Sequence, residues 1–181
     1  MKDDLTIPKT IHVEGIEVPI GSHESKKIVI GADHRGFGYK NSVIEALKYK
    51  NYQLIDVGTF SSARCDYPAI SNEIGRLVSE DYYYNTVGIG ICGSGIGILI
   101  PASKYRGVYS ARCLTPQEAA ASRKHNNTNV LGIGADSVGL ETALAIVDIW
   151  LTTPFYSSPS DEPYLKRFVQ TAKLETAIIK S

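Results

Sequence analysis

From Lys27 onward, short apolar runs alternate with stretches whose apolar residues recur at helical spacing. The runs Lys27 to Gly31, Gln53 to Val57, Thr86 to Cys92, Gly107 to Arg112 and Asn129 to Gly134 have the length of strands buried on both faces. Between them, Tyr39, Val43, Ala46 and Leu47 predict a helix over about Gly38 to Lys50, and Ile70, Ile74, Leu77 and Val78 predict another that Pro68 opens. A helix is expected from near Gly97 to about Lys104. Thr115-Pro116-Gln117-Glu118 combines a cap, an N1 proline and a capping-box acid for the next, which ends near Lys124 to Asn127. Val138 to Leu151, with Trp150, reads as a long apolar-faced helix. After a linker from Pro154 to Pro163, Tyr164 to Ile179 reads as a terminal helix projecting from the body. Five βα units on this spacing predict one α/β domain over 27–181, with a parallel sheet covered on both faces.

Residues 1–26 read as an added arm. Thr10 to Val13 and Ile16 to Val18 flank Glu14-Gly15, a two-residue hairpin turn. Pro8, Pro19 and the polar stretch from Gly21 to Lys27 suggest a loosely attached segment that covers a sheet edge or a neighbouring subunit, or stays mobile. His12 and His23 are expected to be solvated.

Composition narrows the partners. Acidic and basic residues balance at 19 each with a pI near 6.9, which argues against nucleic acid or an anionic membrane surface. No apolar run reaches membrane-spanning length, and Met1-Lys2-Asp3-Asp4 does not open a signal peptide. Cys65, Cys92 and Cys113 are too few and too evenly spread for a disulfide framework or a zinc site, so no metal is expected and the cytoplasm is the default compartment.

The stretch with chemistry in it is 87–100. An apolar run ends in Cys92, and Gly93, Gly95 and Gly97 follow at alternate positions. Cys92 would stand at the carboxyl end of a central strand, where open α/β sheets bind their ligands. The N–H groups of the glycine loop would converge before it on an anion. Taken alone, Cys92 is as readily a small buried hydrophobe. Gly88-x-Gly90-x-x-Gly93 formally matches a dinucleotide fingerprint, but it falls inside the strand and lacks the acidic residue about 20 positions on.

Three other loops carry polar candidates. Asp33-His34 and Asp66-Tyr67 fall on the same sheet edge as Cys92, whereas His125-Asn126 follows a helix and belongs to the opposite edge of its own subunit. It could join the others only across a subunit interface, which argues for a site shared by two chains. Each has a plain structural alternative: Asp33 as a helix cap, His34 as a surface histidine, Tyr67 as a core ring, His125-Asn126 as a helix C-cap.

Ile30 to Phe37, Asp56 to Thr59, Asp66 to Pro68, Ile91 to Gly97 and Arg123 to Val130 occur in that order. Together they resemble the type B ribose-5-phosphate isomerases and the related galactose-6-phosphate isomerase subunits over about residues 27–170. The resemblance implies a Rossmann-like three-layer sandwich, dimers or tetramers with active sites between subunits, and metal-free, cofactor-free interconversion of aldose and ketose phosphates, ribose 5-phosphate and ribulose 5-phosphate being the default pair. It implies that His125 of a neighbouring subunit opens the sugar ring with Asp33, and that Cys92 as thiolate moves a proton between adjacent carbons. The N–H groups of Gly93, Ser94, Gly95, Ile96 and Gly97 would hold the cis-enediolate, and Ser94 would move a proton between its oxygens. Tyr67 and Asn126 match positions that bind the sugar hydroxyls or the enediolate, and His34 and Arg167 match phosphate contacts. Four departures fall on binding positions: Pro163 and Asp136 stand where the family has phosphate-side arginines, Tyr109 where it has another arginine, and Ser103 where it has an asparagine. Lys166, Arg106 or Arg112 are candidates to compensate. A different sugar phosphate, a non-catalytic sugar-phosphate binder and a nucleotide-binding module are the rival readings.

Overall fold

A computed structural model describes residues 10–81 and 85–179. Strands β1 (Thr10–Val13) and β2 (Ile16–Pro19) form an antiparallel hairpin around Glu14-Gly15, with Glu14 at φ 50° and Gly15 at φ 80°. The body runs β3 (Lys27–Ala32), α1 (Phe37–Tyr49), β4 (Leu54–Asp56), α2 (Tyr67–Glu80), β5 (Thr86–Cys92), α3 (Leu99–Ala102), β6 (Ser110–Arg112), α4 (Pro116–Asn126), β7 (Val130–Gly134), α5 (Leu140–Thr152) and α6 (Glu162–Ile179).

The five body strands are parallel in the order β4-β3-β5-β7-β6. Ile28, Ile30, Val87, Ile89, Ile91, Leu131 and Ile133 pack on one face against α1, α4 and α5, around the fully buried Trp150. Val29, Cys92 and Val130 point to the other face, against Ile74 and Val78 of α2 and Ile98, Leu99 and Ala102 around α3. This is the expected three-layer Rossmann-like α/β sandwich. The chain turns left of β3 to make β4 and then returns to its right to make β5, so the switch of direction lies between β3 and β5. Crevices at such points, outside the carboxyl ends of the strands, take ligands.

The capping signal at Thr115 forms as expected. Thr115 Oγ1 accepts from Glu118 N at 3.1 Å, and Glu118 reaches back to Leu114 N at 2.6 Å. Pro68 occupies the first turn of α2. One helix is far shorter than its periodicity predicts: α3 spans four residues rather than the stretch from Gly97 to Lys104. The three loop glycines hold residues 93–98 in turns, and Pro101 has no N–H to offer a longer ladder. Among the described residues, no helix is long and apolar enough to cross a membrane.

The segment preceding β3 is docked rather than loose. Val18 packs with Phe155, Leu165, Phe168 and Val169, so the hairpin covers the first half of α6, while Leu174 farther along that helix is exposed. Gly21 and Phe155 exchange both backbone hydrogen bonds at 3.0 Å, which ties the arm to the predicted linker. His12 is exposed as expected, but His23 is fully buried. Its Nε2 meets Thr128 O at 3.0 Å, its ring lies 4.7 Å from that of Trp150, and its backbone N–H donates to Leu151 O at 2.7 Å. Two side chains at the end of α4 grip the arm as well: Asn127 Nδ2 donates to Pro19 O at 2.8 Å, and Arg123 Nη2 donates to Gly21 O at 3.0 Å.

Candidate active site

β5 is the central strand, and its last residue is Cys92. The thiol is 4 % exposed, within the apolar cluster between sheet and α2–α3. Gly95 N–H donates to Cys92 Sγ at 3.2 Å. Gly95 reaches this position at φ +74°, with its bare Cα pressed on β7: a Cβ there would lie 2.7 Å from Gly134 N and Ile133 C. Ser94 Oγ accepts from Ile96 N at 3.2 Å. The N–H groups of Gly93, Gly97 and Ile98 meet no protein acceptor among the described residues. The loop therefore offers unspent donors in front of a sulfur atom, though from a turn and not from the first turn of a long helix. Burial pushes the Cys113 thiol up to about 11, with Ser122 Oγ 3.8 Å from its sulfur, which makes it an unreactive core residue.

The neighbouring loop from β3 brings Asp33 and His34 to the same edge. Asp33 is buried, and its Oδ1 accepts from Arg35 N at 2.9 Å and Gly36 N at 3.1 Å. These bonds make a turn ahead of α1, whose N-cap is Gly36, so Asp33 does not cap the helix itself. His34 Nδ1 lies 2.9 Å from Cys65 O, in the loop after β4. That loop is anchored by Lys40, buried to 1 %, whose Nζ lies 2.6 and 2.5 Å from the two Asp56 oxygens; Asp56 Oδ1 also accepts from Gly58 N at 2.9 Å. Tyr67 opens α2, and its half-buried ring lies against the bare face of Gly97, with Cζ and OH at 2.9 and 3.2 Å from the place of a Cβ. Asp33, His34, Tyr67, Cys92 and Ser94 thus meet at one edge.

His125, Asn126 and Arg167 do not join them within one chain. α4 ends at the amino edge of the sheet, and β7 then crosses it, a span of roughly 13 Å for its length. There His125 stacks on Tyr164, with ring centroids 4.2 Å apart, and the Arg167 guanidinium carbon sits 5.8 Å from the same ring. Both line, with Asn126, Tyr109, Ser110 and Thr171, a cleft of about 380 Å³. The expectation that His125-Asn126 lies at the opposite edge of its own subunit holds.

Two features of the carboxyl edge escaped sequence reasoning. Arg112 Nε donates to Ser94 O at 2.7 Å and its Nη2 to Ser137 Oγ at 3.1 Å, bracing the loop from β6. Arg35 crosses to Asp136, with Nη2 2.6 Å and Nε 2.8 Å from Oδ2. Of the basic residues considered as compensators, Arg112 is occupied with this bracing, and Lys166 is exposed on α6 near the amino-edge cleft rather than at the glycine loop. Among the described residues, no three His, Cys, Asp or Glu side chains gather in a metal-binding group.

The family model described as Ribose/Galactose Isomerase matches residues 28–166. Ribose-5-phosphate isomerase B of Escherichia coli (strain K12) is 44% identical over 126 residues, 70% of this chain and 83% of its own. Ribose-5-phosphate isomerase B of Mycobacterium tuberculosis is 38% identical over 130 residues, 71% and 79% of the two chains. Among solved structures, the Clostridium thermocellum ribose-5-phosphate isomerase B superposes with a TM-score of 0.76 at 36% identity, covering 84% of this chain and 99% of that one. The Mycoplasma genitalium enzyme, solved with bound ribulose-5-phosphate, gives 0.77 at 30% identity, covering 84% and 97%. A family match across most of the chain, a shared fold and a cysteine set before a glycine loop agree: this chain belongs to the ribose/galactose isomerase family and is a sugar-phosphate isomerase.

Proposed function

We propose that the protein interconverts ribose 5-phosphate and ribulose 5-phosphate through a cis-enediolate, with Cys92 as the base. The observation that carries this reading is the Cys92 sulfur, set at the end of the central strand and met by Gly95 N–H at 3.2 Å, with further loop N–H groups unspent beside it. The thiolate takes the proton from C2 of the open-chain aldose. The C2–H electron pair forms the C1=C2 bond, and the carbonyl π pair moves onto O1. The loop amides stabilise that oxyanion, which in water would carry most of the barrier. Ser94 moves the O2 proton to O1, and Cys92 returns its proton to C1, which leaves a carbonyl at C2.

Asp33 and His125 open the furanose, His125 and Asn126 coming from a neighbouring subunit. Support for a shared site comes from the two edges: base and amides lie at one, while His125, Asn126 and Arg167 share a cleft at the other. Beside the glycine loop, Ile96 and Ile100 are 51% and 55% exposed and border an apolar groove with Leu99, a surface suited to a second copy of the chain. We assign the assembly as a homodimer or a homotetramer built from such dimers, acting in the cytoplasm without a cofactor. His34, Tyr67 and Arg167 hold the substrate. Asp136 at the mouth favours one second reading, an isomerase of a different sugar phosphate.

Complementation tests the arrangement. Cys92→Ala and His125→Ala, each purified alone, are expected to exchange no deuterium into ribose 5-phosphate at carbon 2 in heavy water. Dissociated, mixed and reassociated, they should regain about one quarter of parental activity, since random two-fold pairing leaves that share of sites intact. Undiminished exchange in Cys92→Ala removes the base, and a mixture that exchanges subunits yet stays inactive removes the shared site.

A further inference from the structure

An anionic substrate requires a cation at the carboxyl edge, where Asp33 and Asp136 both contribute negative charge. Arg112 spends Nε on the Ser94 carbonyl and Nη2 on Ser137 Oγ. Arg35 is placed differently. Its side chain is 56% exposed, and it reaches from the β3–α1 loop across the mouth to one oxygen of Asp136, using Nε and one hydrogen of Nη2. No other acceptor among the described residues meets this guanidinium. Of its five N–H donors, those on Nη1 and the second on Nη2 are left over.

The glycine loop makes room for it. A Cβ at Gly93 would lie 2.8 Å from Arg35 Nε and 2.6 Å from Asp136 Oδ2, so the ion pair rests directly on the residue after Cys92. The base of the side chain is fixed too, because Arg35 N–H donates to Asp33 Oδ1 at 2.9 Å and Asp136 N–H donates to Gly93 O at 3.0 Å. A guanidinium whose stem and one edge are fixed, and whose other edge faces out, is set to grip a planar pair of anionic oxygens. An ion pair this exposed is weak in water, so a dianion with several acceptor oxygens competes well for the same group.

We propose that Arg35 is a substrate-anion ligand of this enzyme: its guanidinium, oriented over Gly93 by Asp136, takes the phosphate oxygens of the sugar phosphate with its remaining Nη donors. The proposal rests on the isomerase reading above and adds to it a residue that holds the charged end. Asp136 acts through Arg35 as a positioning residue, and it decides from which side the phosphate can approach.

Arg35→Met keeps the apolar stem without the charge, and Arg35→Lys keeps the charge without the fork. Parent and variants are assayed with ribose 5-phosphate, with inorganic phosphate as competitive inhibitor, and thermal melts establish that each is folded. Arg35→Met should raise both KM and the phosphate inhibition constant by at least about 10-fold, with kcat within about threefold, and Arg35→Lys should fall between. An unchanged phosphate constant in Arg35→Met, or a loss confined to kcat, overturns the proposal. Should the parent not isomerise ribose 5-phosphate, the isomerase reading fails alone: calorimetry with inorganic phosphate on parent and Arg35→Met still decides the role of Arg35, supported if the variant binds at least about 10-fold more weakly and overturned if the two bind alike.

Discussion

Replacing Gly95 by alanine tests the thiol environment directly. At φ +74° an L-residue costs about 1–2 kcal/mol. The added Cβ would also sit 2.7 Å from Gly134 N and Ile133 C, both backbone atoms of a central strand. Ordinary contact begins about 0.7 Å farther out, and β7 is paired on both sides, so the loop must move instead. A shift of that size carries Gly95 N from 3.2 Å to as far as about 3.9 Å from the sulfur, where the hydrogen bond is at its weakest. A hydrogen bond to a charged group is worth about 1.5–3 kcal/mol. With Cys92 as the proposed base, kcat/KM should then drop by up to about 10- to 100-fold. The time course of Cys92 alkylation reads this change at the sulfur without substrate, in a Cys65→Ser background because Cys65 is half-buried and the more accessible thiol. Gly15→Ala is the control: it has a similar φ of +80° but open space around the new methyl. An alkylation profile in Gly95→Ala that superimposes on the parent's refutes the reasoning, as does an equal loss of stability in the two variants.

Two further outcomes concern stability. Burial, with the Arg123 and Lys26 charges adding to it, holds the His23 imidazole well below its ordinary 6.5, so the folded protein keeps it neutral while the unfolded chain takes up a proton. That contribution is complete above pH 6.5 and is lost as pH falls below it, by up to about 1.4 kcal/mol per unit. Denaturant titrations at pH 7.5, 6.5 and 5.5 should show the decline, and His23→Phe should flatten it; the same slope in both proteins would remove the assignment. Asp56→Asn strands the buried Lys40 ammonium and should cost about 3–5 kcal/mol. Chemical denaturation checks this, with Lys40→Met added to the variant expected to recover part of the loss; a cost below about 1 kcal/mol counts against a structural ion pair.

Much of this was legible in the chain because both its periodicities survive folding. Past their polar first residues, Lys27 and Thr86, the runs ending in Ala32 and Cys92 are apolar throughout, as is the run ending in Gly134, which fits strands covered on both faces. The site was legible where it is local: Cys92 and the glycines that follow form one turn. The length of α3 was not, since apolar spacing continues past Gly97 while three glycines and Pro101 oppose a helix. His23 was misjudged for a related reason. Nothing near it in sequence signals Thr128 or Trp150, which meet it only after the arm docks. Asp136 looked like a lost cation, and the arginine beside it is encoded 101 residues earlier in another loop. Pairings between loops leave no periodic trace.

The hairpin and the strand-free stretch after it lie outside the span matched by the family model, which begins at residue 28. An engineer trimming the gene to the family's length would discard them as a leader. Their carbonyls at Pro19 and Gly21, however, receive Asn127 and Arg123, which flank His125 and Asn126 on the same helix end. Truncation would deprive both side chains of an acceptor in a place closed to solvent, and so would amount to a lesion next to the His125–Tyr164 cleft.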